Sequence, residues 1–160
     1  MVTICVDSGF LIALYDLRDS HHEHASKQFN SFFAPESFRH VLLAPWPILY
    51  ESLNTRQARR KPLLQQLSAD WNILERNEQL ILLNDATYRD QALRDYLEIY
   101  AEGPRTLSLA DRVIRAVLAD PANLIDALLT YNARDFSDVC TTQQIQLIDQ
   151  HFESLQLMEP

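Results

Sequence analysis

Short apolar runs alternate with longer stretches of helical periodicity from the start of the chain to about residue 130. Val2 to Val6 is a β-rich run, and Phe10 to Asp16 repeats apolar residues at helical spacing. Asp19 or Ser20 is placed to cap a second helix through His24, Ala25 and Phe29. The pattern restarts with the apolar run His40 to Ala44, punctuated by Pro45 and Pro47, and a helical stretch from Ile48 to Arg59. Pro62 opens a helix through Leu63, Leu64, Leu67, Trp71 and Leu74, and the short run Leu80 to Leu83 precedes a long helix from Ala86 to Ala101. Gly103 and Pro104 break the chain, Ser108 to Ala119 is helical, and Leu124 to Thr130 reads as the last strong strand, followed by a polar turn. Short apolar strands alternating with amphipathic helices predict an α/β fold, a three-layer α/β/α arrangement around a central parallel sheet. No linker or repeat divides it, so residues 1–160 read as one domain.

Composition narrows the chemistry. The formal charge of -8 argues against nucleic-acid binding by general attraction, though a local basic groove is compatible with it. Gly9 and Gly103 are the only glycines, which excludes a P-loop and a Gly-rich dinucleotide turn. Cys5 and Cys140 are far apart and read as thiols rather than a disulfide framework, as a reducing compartment would favour. With no spanning stretch and no export signal, a soluble cytoplasmic protein is expected.

One residue interrupts the pattern. Asp7 stands between the apolar runs Ile4 to Val6 and Phe10 to Leu14, where an unpaired carboxylate is costly. An aspartate there either caps the helix that follows or opens onto a cleft, and in parallel α/β folds the ligand crevice lies at the carboxyl ends of the strands. Other carboxylates reach the same edge by the predicted topology. Glu51 lies in I-L-Y-E-S-L-N, where Leu49 and Leu53 suggest a largely buried surround. Asp111 lies one turn into a helix that Ser108 is placed to cap, where a first-turn acid also suits the helix dipole. Asp135 follows the last strand in a polar turn, a place where aspartate is also ordinary loop chemistry.

Five segments together resemble the PIN-domain nucleases, in particular the VapC-like toxin ribonucleases. They are V-D-S-G-F-L-I-A-L, D-S-H-H-E-H-A, L-A-P-W-P-I-L-Y-E-S-L-N, L-S-L-A-D-R-V-I and L-L-T-Y-N-A-R-D-F, in that order, and they span most of the chain. The resemblance implies that Asp7, Glu51, Asp111 and Asp135 form an acidic metal site supported by Ser8, Thr130 and Asn132. It further implies one or two Mg²⁺ or Mn²⁺ ions, an RNA substrate, an antitoxin partner and a homodimer. The final motif departs from the common pattern. Asn132 stands where many members carry aspartate, so either Asp135 supplies the fourth acid or that position is vacant. Arg112, where a small residue is usual, is open to pairing with an acid or reaching a phosphate.

The residue types suit the implied reaction. Phosphodiester hydrolysis needs an activated water and neutralised phosphoryl charge, and Mg²⁺ or Mn²⁺ held by carboxylate oxygens supplies both. Other aspartate-after-strand enzymes fit worse. A haloacid-dehalogenase-type phosphatase would need a second aspartate where Gly9 stands, and a receiver domain would need a late lysine, whereas the lysines are Lys27 and Lys61. The competing class is a PIN-fold module that binds RNA or protein without cutting. Arg56, Arg59, Arg60 and Lys61 follow the Glu51 helix and serve either to guide an RNA backbone or to complement a helix C-terminus. His21 and His24 share a helix face but lack a further ligand at zinc-site spacing.

Overall fold

A computed structural model describes residues 1–33, 40–55, 60–99 and 107–151. Within them five strands form one sheet, β1 (Val2–Val6), β2 (His40–Pro45), β3 (Leu80–Leu83), β4 (Ala127–Leu129) and β5 (Gln146–Ile148). The order across the sheet is β3-β2-β1-β4-β5, and every pairing is parallel. Ile4 of β1 pairs with Leu42 on one side and Ala127 on the other, and all three side chains are fully buried. Among the described residues seven α-helices flank the sheet: α1 (Ser8–Tyr15), α2 (His22–Phe33), α3 (Trp46–Leu53), α4 (Lys61–Arg76), α5 (Ala86–Ile99), α6 (Leu109–Ala119) and α7 (Ala133–Gln143). The expected α/β architecture with a central parallel sheet is what the chain forms.

The strand order has a consequence for function. From β1 the chain adds β2 and then β3 on one side, and later returns to add β4 and β5 on the other. The direction of winding therefore reverses between β1 and β4. A crevice opens outside the carboxyl ends of the two strands at such a reversal, and ligands bind there. Asp7 follows β1 and Thr130 follows β4, so both stand at that point.

Three parts of the chain depart from the sequence reading. The last predicted strand is shorter. Asp120 accepts from the Ala122 amide to cap a 3₁₀ turn over Pro121–Asn123, and Leu124 ends it in the left-handed region at φ 49, leaving only Ala127–Leu129 in the sheet. Asp126 is structural, accepting from the Thr3 amide at 2.7 Å beside β1. The polar turn expected after Thr130 is α7, whose Phe136, Val139 and Cys140 at helical spacing bury its inner face, and β5 follows it. The helix carrying Glu51 ends at Leu53, earlier than expected.

Candidate active site

Asp7 caps α1 and stands at the carboxyl end of β1, where the sheet reverses. Its Oδ1 accepts from the Phe10 amide at 2.7 Å, capping α1, and its Oδ2 accepts from the Thr130 hydroxyl at 2.5 Å. The side chain is 4% exposed. Burial pushes its pKa up to about 6; the carboxylates of Asp111 and Glu51 add to the rise, and the bonds from Thr130 and Phe10 oppose it. Asp111 and Glu51 are thus near enough for their charges to act on Asp7.

Glu51 arrives on α3 and accepts from Ser8 Oγ at 2.6 Å, which ties it to the residue next to Asp7. It is exposed, contrary to the buried surround expected from Leu49 and Leu53. Residues two apart on a helix are separated by about 200° around the axis, so apolar neighbours at that spacing say nothing of the face Glu51 occupies. Asp111 sits in the first turn of α6 in a capping box. Its Oδ2 accepts from the Ser108 amide at 3.2 Å and from Ser108 Oγ at 2.8 Å, while the Asp111 amide donates to Ser108 Oγ at 3.0 Å. This first-turn position suits the helix dipole, and the carboxylate is close enough to Asp7 to act on its charge.

Asp135 takes a different orientation. It lies in the first turn of α7 rather than in a loop, and its Oδ2 accepts from Asn132 Nδ2 at 2.5 Å. Its carbonyl accepts from Arg115, whose guanidinium also makes two bonds of 2.6 Å to Asp138, fastening α6 to α7. Arg115 carries no mark in the local sequence pattern, because its partners lie some twenty residues away on another helix. Asn132 caps α7 without a side-chain cap bond, and its amide donates to Thr130 Oγ1 at 2.9 Å.

The basic and imidazole groups are placed as follows. Arg56 and Arg59 lie outside the described residues. Arg60 caps and Lys61 opens α4, both exposed, so these two charges sit at a helix N-terminus, where the dipole disfavours them. That removes the C-terminal dipole explanation for them. Arg112 lies with its guanidinium 5.6 Å from the Tyr96 ring centre, a cation–π contact between α5 and α6. His21 and His24 share a face as expected, and both turn it to Tyr131: the His21 ring stacks at 4.5 Å and His24 meets it edge-on at 6.1 Å.

Asp7, Glu51 and Asp111 present oxygen donors only, which suits a hard divalent ion rather than zinc or copper. Among the described residues, no group of three or more His, Cys, Asp or Glu side chains is close enough to hold an ion as it stands. Ser8 and Ser108 hold two of the three carboxylates to themselves.

Neither a protein-family model nor a curated protein matches the chain. Among solved structures it is similar to VapC20 of Mycobacterium tuberculosis, a sarcin-ricin loop cleaving toxin, with a TM-score of 0.54 and 20% sequence identity. The likeness covers 78% of this chain and 86% of that one. The fold of this chain is therefore the PIN-like α/β fold of a VapC toxin.

Proposed function

We propose that the chain is a metal-dependent endoribonuclease of the VapC toxin kind, cutting RNA phosphodiester bonds at the crevice between β1 and β4. The observation that carries this reading is Asp7: a carboxylate at the reversal of the sheet whose pKa is raised by burial first, with Asp111 and Glu51 close enough to add to the rise. A structural cap needs no such neighbours. Clustered acids repel without a counter-charge, and a cation relieves that conflict. Asp7, Glu51 and Asp111 would hold one or two Mg²⁺ or Mn²⁺ ions, with Asp135 an outer participant. When bound, such an ion neutralises phosphoryl charge and lowers the pKa of a coordinated water. Ser8, Thr130 and Asn132 orient the acids, and Arg60 and Lys61 meet the RNA backbone.

The same reading implies a protein partner that restrains the enzyme, an antitoxin, and a homodimer. An apolar recess of only about 20 Å³ between α1, α3 and α4, lined by Leu11, Ile12, Leu53, Leu63 and Leu67, would have to open before an apolar segment of an antitoxin could seat there.

One observation favours the non-cutting alternative, a PIN-fold module that binds RNA or protein. Glu51 and Asp111 are each bonded to a serine rather than turned together with Asp7. The experiment that decides is cleavage of labelled structured and single-stranded RNAs by partner-free protein in Mg²⁺, Mn²⁺ or EDTA, alongside Asp7→Asn. Metal-dependent cutting that the substitution removes is the expected result. Absence of cutting with every ion overturns the nuclease.

A further inference from the structure

A second feature lies on the same sheet edge, one strand away from the acids. Trp46 follows β2 directly and Tyr50 stands one turn later on α3, their ring centres 5.9 Å apart at 39°. Trp46 is 39% and Tyr50 70% exposed, so neither aromatic contributes its full area to the core. Opposite them are Asn84, Asp85 and Arg89, which follow β3 and enter α5, and the five residues line an open recess of about 260 Å³. Pro45 pairs with Leu83, so the carboxyl ends of β2 and β3 deliver both walls at one level. Arg89 is well exposed, and its contact with the buried Asp85 is 3.8 Å long, which leaves the guanidinium available to a ligand.

We propose that Trp46 and Tyr50 are a stacking platform for an unpaired nucleobase of the RNA strand engaged at Asp7, with Arg89 facing an adjoining phosphate. This rests on the nuclease reading. Three observations support the occupant. The platform shares α3 with the candidate site: Tyr50 and Glu51 are exposed neighbours on that helix, and Glu51 bonds Ser8 beside Asp7. The recess combines aromatic faces with a cation, the pairing that single-stranded nucleic acid needs. With a formal charge of -8 the chain gains little from general attraction to phosphate, whereas stacking does not depend on net charge. A base inside a duplex has its faces covered, so the platform selects a splayed or looped base and thereby a single-stranded or bulged target.

The test measures binding in an Asp7→Asn background, to prevent cutting, with a labelled single-stranded RNA oligonucleotide and its abasic counterpart. Trp71→Phe leaves Trp46 as the sole tryptophan reporter. The expected result is quenching of Trp46 by the RNA, and binding weakened about five- to a hundredfold in Trp46→Ala or Tyr50→Ala. Trp46→Phe should restore most of it, and the abasic strand should bind weakly to all variants alike. Equal affinity of Trp46→Ala, Tyr50→Ala and their parent for the base-bearing strand overturns the platform. So does a change of oligomeric state in these variants with RNA affinity unaltered, which would assign the aromatics to a second copy. Wild-type protein that cuts RNA while the variants bind normally rejects the platform alone; wild-type protein that neither binds nor cuts any RNA rejects the nuclease reading with it.

Discussion

The hydroxyl of Thr130 is bonded to the carboxylate of Asp7 across the two strands at which the sheet reverses, and it receives the Asn132 amide at the same oxygen. One fully buried threonine thus fixes the acid, the end of β4 and the start of α7 together. Thr130→Val keeps the shape and removes the donor. A hydrogen bond to a charged group contributes about 1.5–3 kcal/mol, so the Asp7 pKa should climb by about 1–2 units from its value of about 6. Activity at neutral pH should fall and the acidic limb of the pH–rate profile should move upward, while Thr130→Ser stays near wild type. An unmoved profile in Thr130→Val would separate Thr130 from the function of Asp7.

Burial of Asp7 also predicts how stability varies with pH. Its folded pKa lies above the ordinary 3.8, so between about 4 and 6 the folded state binds more protons than the unfolded one. Stability from this group is highest below pH 4 and declines as pH rises through about 6, by about 3 kcal/mol in all. Asp7→Asn should accordingly melt higher than wild type at pH 7 and equally at pH 4. Added Mg²⁺ should raise the wild-type melting temperature at pH 7 and leave that of Asp7→Asn almost unchanged. Equal melting at pH 7 without metal would count against a strained carboxylate.

The acids should rank by position. Asp7→Asn, Glu51→Gln and Asp111→Asn should each cut RNA cleavage by at least about a hundredfold. Asp135→Asn should do less, because its carboxylate is engaged with Asn132 on the α7 side. Asp111→Ala should add a melting penalty, since it removes half of a capping box that contributes about 1 kcal/mol. Initial rates under saturating Mg²⁺, with melting curves on the same samples, distinguish the two effects.

Arg115→Ala tests the join between α6 and α7. The Arg115 guanidinium holds the Asp138 carboxyl down to about 2, and with Asp138 largely exposed the pair contributes about 1 kcal/mol after screening. That contribution is present above the ordinary carboxylate pKa and is lost as pH falls through about 2. The variant should melt lower than wild type at pH 7, and the gap should narrow on acidification without closing, because the bond to the Asp135 carbonyl does not titrate.

The candidate site was legible where neighbours in sequence are also neighbours in space. Asp7 after an apolar run and Asp111 three residues after Ser108 are local signals, and both acids stand where the pattern put them. Glu51 was found by its position after a strand, yet its exposure was misjudged because helical neighbours two apart face different ways. β5 escaped notice because three residues, Gln146 to Ile148, carry no periodicity, and its pairing with β4 is a tertiary fact. The Arg115 clasp and the recess facing Trp46 depend likewise on partners from distant segments.

The Asp7–Thr130 bond spans 123 positions of the chain. At ordinary rates of synthesis about 6–25 seconds separate the appearance of the two residues at the ribosome. Until β4 emerges, Asp7 has neither its hydroxyl partner nor one flanking strand, and Asp111 has only just arrived. A chain still being made, or one released early, therefore carries an acid without the site that gives it purpose. Order of synthesis therefore leaves the pairing of β1 with β4, and with it the Asp7–Thr130 bond, among the late events in building the chain.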